Sequence, residues 1–266
     1  MSEPTERRII PSTLASTHGA AANEYRPVAV MPDVRVVKIG GQSIMDRGRE
    51  ALFPILDEVI EARKRGIQVV LLTGGGTRAR HIYTIASELD MPTGVVATLG
   101  KYIPMQNARM LQMLLAKHGG IYIMPDDFEK LPLYLQLGCI PVMSGMPPFG
   151  YWEKHQEGSR IPPHRTDAGV FLSCEFLGAR RAIFVKDEDG LYTDDPKKNP
   201  QATHIPRITA RELAARNLPD VVVERRVVEY LPRSRWCKEV QIVNGLKPGQ
   251  VLAALEGQDV GTLITA

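Results

Sequence analysis

Three apolar runs in this chain end in the same way. Val34-Arg35-Val36-Val37-Lys38-Ile39 stops at Gly40-Gly41, the run from Gln68 to Leu72 stops at Thr73-Gly74-Gly75-Gly76, and Ala182-Ile183-Phe184-Val185 leads into Lys186-Asp187-Glu188-Asp189-Gly190. Short continuous apolar runs bounded by turn residues read as strands buried on both faces. Helical spacing follows the first, with Leu52, Ile55, Leu56, Val59 and Ile60 on one side and Gly66 as the stop. A second helix is expected over 78–89. Strand, turn and helix in alternation predict an α/β chain: a three-layer α/β/α sandwich around a mainly parallel sheet. Such sheets gather ligand loops at the carboxyl ends of their strands.

The same alternation continues downstream. Helices are expected over 106–118, 130–137, 166–176, 209–216, 227–236 and 249–255, and strands over 121–124, 139–143, 180–186, 239–243 and 260–264. Pro232 interrupts the 227–236 pattern. Thr209 with Glu212 three residues on is a capping box, and Asp167 or Thr166 is a plausible cap for its own helix. Residues 146–164 carry four prolines and read as an irregular excursion, and 187–208 as a polar loop. The first 30 residues lack periodicity and read as an arm, which leaves one nucleotide-binding-sized domain over 31–266.

Composition narrows the function. A net charge of +3 on 266 residues, without a long basic run, gives no argument for nucleic acid. No apolar stretch is long enough to span a membrane, and no apolar core follows Arg7-Arg8 as a secretory signal would require. Cys139, Cys174 and Cys237 are odd in number and show no metal spacing; reduced core thiols in a cytoplasmic protein are the expectation.

The strand ends carry the chemistry. Glycines let backbone N–H groups approach phosphate, and a following helix N-terminus adds partial positive charge. Gly40 and Gly41, and Gly75 and Gly76, have this character, and Lys38 adds a point charge at a strand end. Neither turn is a Walker A or GxGxxG sequence, and a tight turn accounts for either alone. Together with 185–196 they point to one nucleotide site. Asp167 reads either as a helix cap or as the group that orients Lys38 or a metal-bound water. Asp187, Glu188 and Asp189 read either as magnesium ligands or as a solvated acidic loop.

These pieces, in this order, resemble the amino acid kinase superfamily, uridylate kinases included. The strings are Val37-Lys38-Ile39-Gly40-Gly41, Thr73-Gly74-Gly75-Gly76, Arg165-Thr166-Asp167-Ala168, Asp189-Gly190-Leu191-Tyr192-Thr193-Asp194-Asp195-Pro196 and the segment 257–264. The resemblance implies ATP as ligand. It places Lys38 and Asp167 in catalytic roles, and Lys186, Asp189, Gly190, Tyr192 and Asp195 beside the nucleotide. A narrower resemblance, to the β-type chains of the molybdenum storage family, rests on Lys38-Ile39-Gly40-Gly41-Gln42-Ser43, Thr77-Arg78-Ala79-Arg80-His81, Ser144-Gly145-Met146-Pro147-Pro148, Ile161-Pro162-Pro163, 184–193 and Val243-Asn244-Gly245-Leu246. That family implies a hexameric cage, built with an α-type subunit or from copies of one chain. ATP and Mg2+ serve it to accumulate molybdate or tungstate as polyoxometalate. Lys186 is then the β-like residue where α-type chains carry a carboxylate, and a cation there competes with magnesium.

Two departures matter. Ala97-Thr98-Leu99-Gly100-Lys101-Tyr102 stands where uridylate kinases carry an acidic residue and a Met-Gly-Met run, which speaks against a UMP acceptor pocket. UMP-type kinase activity stays the alternative. The α-type triple-His run is absent, with His155 alone in its place, whereas 158–165 is α-like. In that family the 146–165 loop faces the cage interior. His155 and His164 are therefore the expected oxometalate contacts, with Arg160 and Arg165 supplying charge.

Overall fold

The computed structural model describes residues 28–218 and 221–266. The expected arm therefore lies, apart from its last three residues, outside the described residues. Ten strands and eight α-helices are described. They run β1 (Arg35–Ile39), α1 (Arg49–Lys64), β2 (Val69–Thr73), α2 (Gly76–Glu88), α3 (Thr93–Leu115), β3 (Gly120–Tyr122), α4 (Leu131–Gln136), β4 (Ile140–Ser144), α5 (Thr166–Leu177), β5 (Arg181–Lys186), β6 (Leu191–Tyr192), β7 (His204–Ile205), β8 (Arg207–Thr209), α6 (Ala210–Arg216), α7 (Arg225–Tyr230), β9 (Glu239–Asn244), α8 (Gln250–Leu255) and β10 (Thr262–Thr265).

One sheet has the order β3-β4-β2-β1-β5-β9-β10-β8, and β6 and β7 form a separate antiparallel pair. Every pairing in the large sheet is parallel except β9 with β10. Alternation along the strands divides the core into two layers. Val36, Val70, Leu72, Ala182, Phe184 and Ile242 face α4, α5, α6 and α7. Val37, Ile39, Val69, Leu71, Ile183 and Val185 face α1, α8 and the second half of α3. The expected three-layer sandwich results. From β1 the chain builds outward through β2 to β4, then crosses back to place β5 on the other side of β1. The β1–β5 seam is thus a topological switch point, where loops diverge and leave a crevice.

Four local readings change. The helix expected from Gln106 begins at Thr93, because Gly94, Gly100 and Pro104 mask its periodicity. Those residues sit at close contacts: a side chain on Gly100 would strike the Tyr83 ring, and the Pro104 carbonyl accepts from Thr73 Oγ1 at 2.7 Å. The helix expected over 227–236 ends at Tyr230, and Pro232 falls in a tight 3-10 turn. The loop expected over 187–208 contains the β6–β7 pair, and β8 follows it as an edge strand. Finally, α5 is capped neither by Asp167 nor by Thr166. The Glu224 carboxylate, brought in from a distant segment, accepts from the N–H groups of Arg165 and Asp167 at 3.1 and 3.0 Å. The capping box at Thr209 and Glu212 forms as expected.

Candidate nucleotide site

A cavity of about 780 Å³ opens at the carboxyl ends of β1, β2 and β5, within the range of small-molecule sites. Its floor follows from strand parity. Lys38 on β1 and Lys186 on β5 alternate to the face where α5 packs. Lys38 pairs in register with Phe184, two residues before Lys186, so the two ammonium groups are diagonal neighbours. Asp167, in the first turn of α5, lies between them. Its Oδ1 accepts from Lys38, and its Oδ2 is 3.7 Å from Lys186 Nζ. All three side chains are at most 15% exposed. Burial would raise the Asp167 carboxyl, but the Lys186 and Lys38 charges outweigh it and hold the group well below the usual carboxylate range.

Glu224, just before α7, locks this floor to the start of that helix. Asp167 N–H donates to Glu224 Oε1, and Glu224 N–H donates back to Asp167 Oδ2, each at 3.0 Å. Burial, and then the nearby Asp167 charge, push the Glu224 carboxyl up. The segment that delivers Glu224 is a γ-turn: Val223 N–H donates to Val221 O, and Val222 sits at φ 62°. That conformation is strained for a β-branched residue, and Val222 lines the cavity.

The glycine turns form the wall. A side chain on Gly41 would lie 2.1 Å from Gly76 N, so the two turns pack backbone to backbone. Gly76 needs φ +68°. The N-terminus of α2 is not open, however. Asp46 Oδ2 accepts from Thr77 N–H at 2.7 Å. Opposite, Asp187, Glu188, Gly190, Tyr192, Asp194, Asp195 and Lys197 complete the lining, and Arg80, Tyr83, Gly100, Arg165 and Thr166 close the far end. Burial pushes the Tyr83 hydroxyl up to about 12.

Of the expected site residues, Lys38, Gly40, Gly41, Gly75, Gly76, Asp167, Lys186, Gly190, Tyr192 and Asp195 line this one cavity. Asp189 does not. Its carboxylate accepts from Asn244 at 3.0 Å and Lys247 at 2.7 Å, and anchors the loop from outside. The histidines are also elsewhere. His164 has both ring nitrogens engaged, Nδ1 with buried Glu153 at 2.9 Å and Nε2 with the Tyr230 hydroxyl at 2.5 Å. His155 is exposed, with Nδ1 3.2 Å from Thr93 Oγ1. Arg160 is paired with Asp90, and Arg165 stands 3.9 Å from Glu224. The sequence reading missed Asp46, Arg47, Tyr83 and Glu224. Only Asp46 had a local signal, an acidic residue just after a glycine turn.

The arrangement fits a nucleotide. Backbone turns without room for a Cβ flank one buried and one part-buried ammonium group, and the volume suits the ligand. Lys38, Lys186 and the N–H groups of Gly41, Gly75 and Gly76 would hold its phosphates; the Gly40 N–H, expected among them, instead donates to Val185 O at 3.1 Å. The described side chains alone offer magnesium no ready-made position. Among the described residues no three His, Cys, Asp or Glu side chains converge on a metal position. The three carboxylates of Asp187, Glu188 and Asp189 turn to three different cations, Arg47, Lys197 and Lys247. No described helix is long and apolar enough to cross a membrane.

The chain is 48% identical over 247 residues to the molybdenum storage protein subunit beta of Azotobacter vinelandii, covering 93% of this chain and 90% of the relative. It is 32% identical over 204 residues to a uridylate kinase of Thermococcus kodakarensis, covering 74% and 83%. The crystal structure of uridylate kinase from Archaeoglobus fulgidus superposes with a TM-score of 0.65 at 25% identity, over 87% of this chain and 100% of that one. UMP kinase from Bacillus anthracis, at 19% identity, shares the fold with a TM-score of 0.66 over 88% and 96%. The model of the amino acid kinase family matches residues 33–224, and with these relatives over most of its length the chain belongs to that family.

Proposed function

We propose that this chain is an ATP-binding subunit of β type in a cage that stores molybdenum or tungsten as polyoxometalate, assembled with an α-type subunit or with copies of itself. The observation that carries the reading is the Lys38–Asp167–Lys186 floor. Two ammonium groups share one depressed carboxylate, and Arg165 stands 3.9 Å from Glu224, so the floor holds three cations against two carboxylates under the glycine turns. That charge suits a polyphosphate and opposes a divalent cation at the same place. The storage role is supported by the extent of similarity to the Azotobacter subunit. Lys38 and Asp167 are the catalytic candidates, with Asp167 positioning Lys38. Gly190, Tyr192 and Asp195 take the adenosine end. His155, with Nε2 directed to no described residue, is the better of the two histidines for an oxyanion contact, because His164 has no free nitrogen.

The test is elemental analysis of the full chain, alone and co-expressed with α-type partners, after loading with molybdate or tungstate in the presence and absence of ATP, alongside a UMP phosphorylation assay. Many metal atoms retained per chain only with ATP, and no UDP formed, is the expected result. UDP formation without metal retention would replace storage by the kinase reading.

A further inference from the structure

Two ion pairs ring the mouth of the cavity. Arg47, in the tight turn after β1, places Nη2 2.5 Å from Oδ2 of Asp187, the first residue beyond β5. Lys197, between β6 and β7, places Nζ 2.5 Å from Oε1 of Glu188 and lies within electrostatic range of Asp187 and Arg47. All four residues line the cavity. The cations below them are paired with Asp167, whereas the mouth pairs can change partner without disturbing the floor.

We infer that the Arg47–Asp187 pair is a clasp that a polyphosphate opens, and that Arg47 is the residue that positions the outermost phosphate. This rests on the nucleotide reading above. A guanidinium presents forked donors that match phosphate as well as carboxylate. The Arg47 side chain is 47% exposed, so its bond to Asp187 is weakened by water and its stem is free to swing. Asp187 is not stranded by the exchange, because Lys197 stays within range. The phosphate, with more charge than the carboxylate, then decides the partner. Asp187 is on this account a competitor of the ligand rather than a contact for it. Removing its charge strengthens binding, the reverse of what a nucleotide or metal contact would do.

The experiment is calorimetric titration of the folded full chain with a non-hydrolysable imido analogue of ATP, in EDTA so that no divalent cation contributes. Asp187→Asn is expected to tighten binding about threefold to fivefold, the range for releasing one exposed ion pair. Arg47→Met is expected to weaken it about tenfold. In the double variant the gain from Asp187→Asn disappears. Unchanged or weaker binding by Asp187→Asn, or a gain that persists without Arg47, overturns the clasp while leaving the nucleotide reading intact. Failure of the unsubstituted chain to bind the analogue overturns both.

Discussion

Asp167→Asn removes the only described carboxylate that stands between Lys38 and Lys186. Its side chain is 7% exposed and those of the lysines 5% and 15%, so the charges left behind have little water to replace it. Breaking a buried pair by removing one partner costs about 3–5 kcal/mol. An asparagine oxygen can still accept from Glu224 N–H, so the loss is electrostatic rather than a lost cap. At roughly 2–4 °C per kcal/mol for a chain of this size, the melting temperature should fall by about 6–20 °C. Adding Lys186→Met should recover much of the fall, because it returns the floor to its parental net charge. ATP should also stabilise Asp167→Asn more than the parent, since phosphate supplies the missing counter-charge. The sign with pH is fixed. A carboxyl held below its ordinary value of 3.8 contributes stability above that pH and loses it as pH falls toward the folded value. The parent should therefore lose stability below about pH 4, and Asp167→Asn should lose less there. Differential scanning fluorimetry across pH and ATP concentration measures all of this. A fall under about 2 °C, or equal ATP shifts in both chains, would refute the buried-triad argument.

Three further outcomes are expected. Lys38→Ala should weaken ATP binding by about 1.5–3 kcal/mol, the range for hydrogen bonds to charged groups, as read by calorimetry. Lys186→Glu should create measurable binding of Mn2+, used as a paramagnetic stand-in for Mg2+, because a second carboxylate then adjoins Asp167; an unchanged Mn2+ spectrum would remove Lys186 as the obstacle. His164→Ala should lower stability by about 1–3 kcal/mol by leaving the buried Glu153 carboxylate only the Lys154 N–H as a partner, yet leave metal loading intact, whereas His155→Ala should reduce loading at unchanged stability; elemental analysis and thermal melts separate the two.

The floor and the wall of the cavity were legible to different degrees. Lys38, Gly41 and Gly76 could be read because each ends an apolar run, and period-2 alternation alone sends Lys38 toward α5. That Lys186 shares its face with Lys38 follows from strand register, which the sequence does not print. Glu224 was invisible. It lies 57 residues from Asp167 in sequence, and nothing local marks a cap supplied from so far away. The misreading of Asp189 has the same origin, since its partner Lys247 is 58 residues distant. The first half of α3 was lost to Gly94, Gly100 and Pro104, residues chosen there for close contacts rather than for helix propensity. Two-residue strands such as β6 and β7 are too short for periodicity to register.

The backbone contact between Gly41 and Gly76 has a consequence for how a ligand is received. With no space between the turns, β1 and β2 cannot open or close the phosphate side independently, so that wall is set when the chain folds and little conformational entropy remains to be lost there on binding. Apart from the Arg47 side chain, any ordering that accompanies capture falls on the opposite side, in the segment through β6 and β7, which is tied to the mouth by the Lys197–Glu188 ion pair. Hydrogen exchange should accordingly divide along the cavity, with the Gly40 and Gly74 amides, which donate to Val185 O and Ile39 O, protected to the same degree with and without ATP, and those of 193–203 slowed only when it is present.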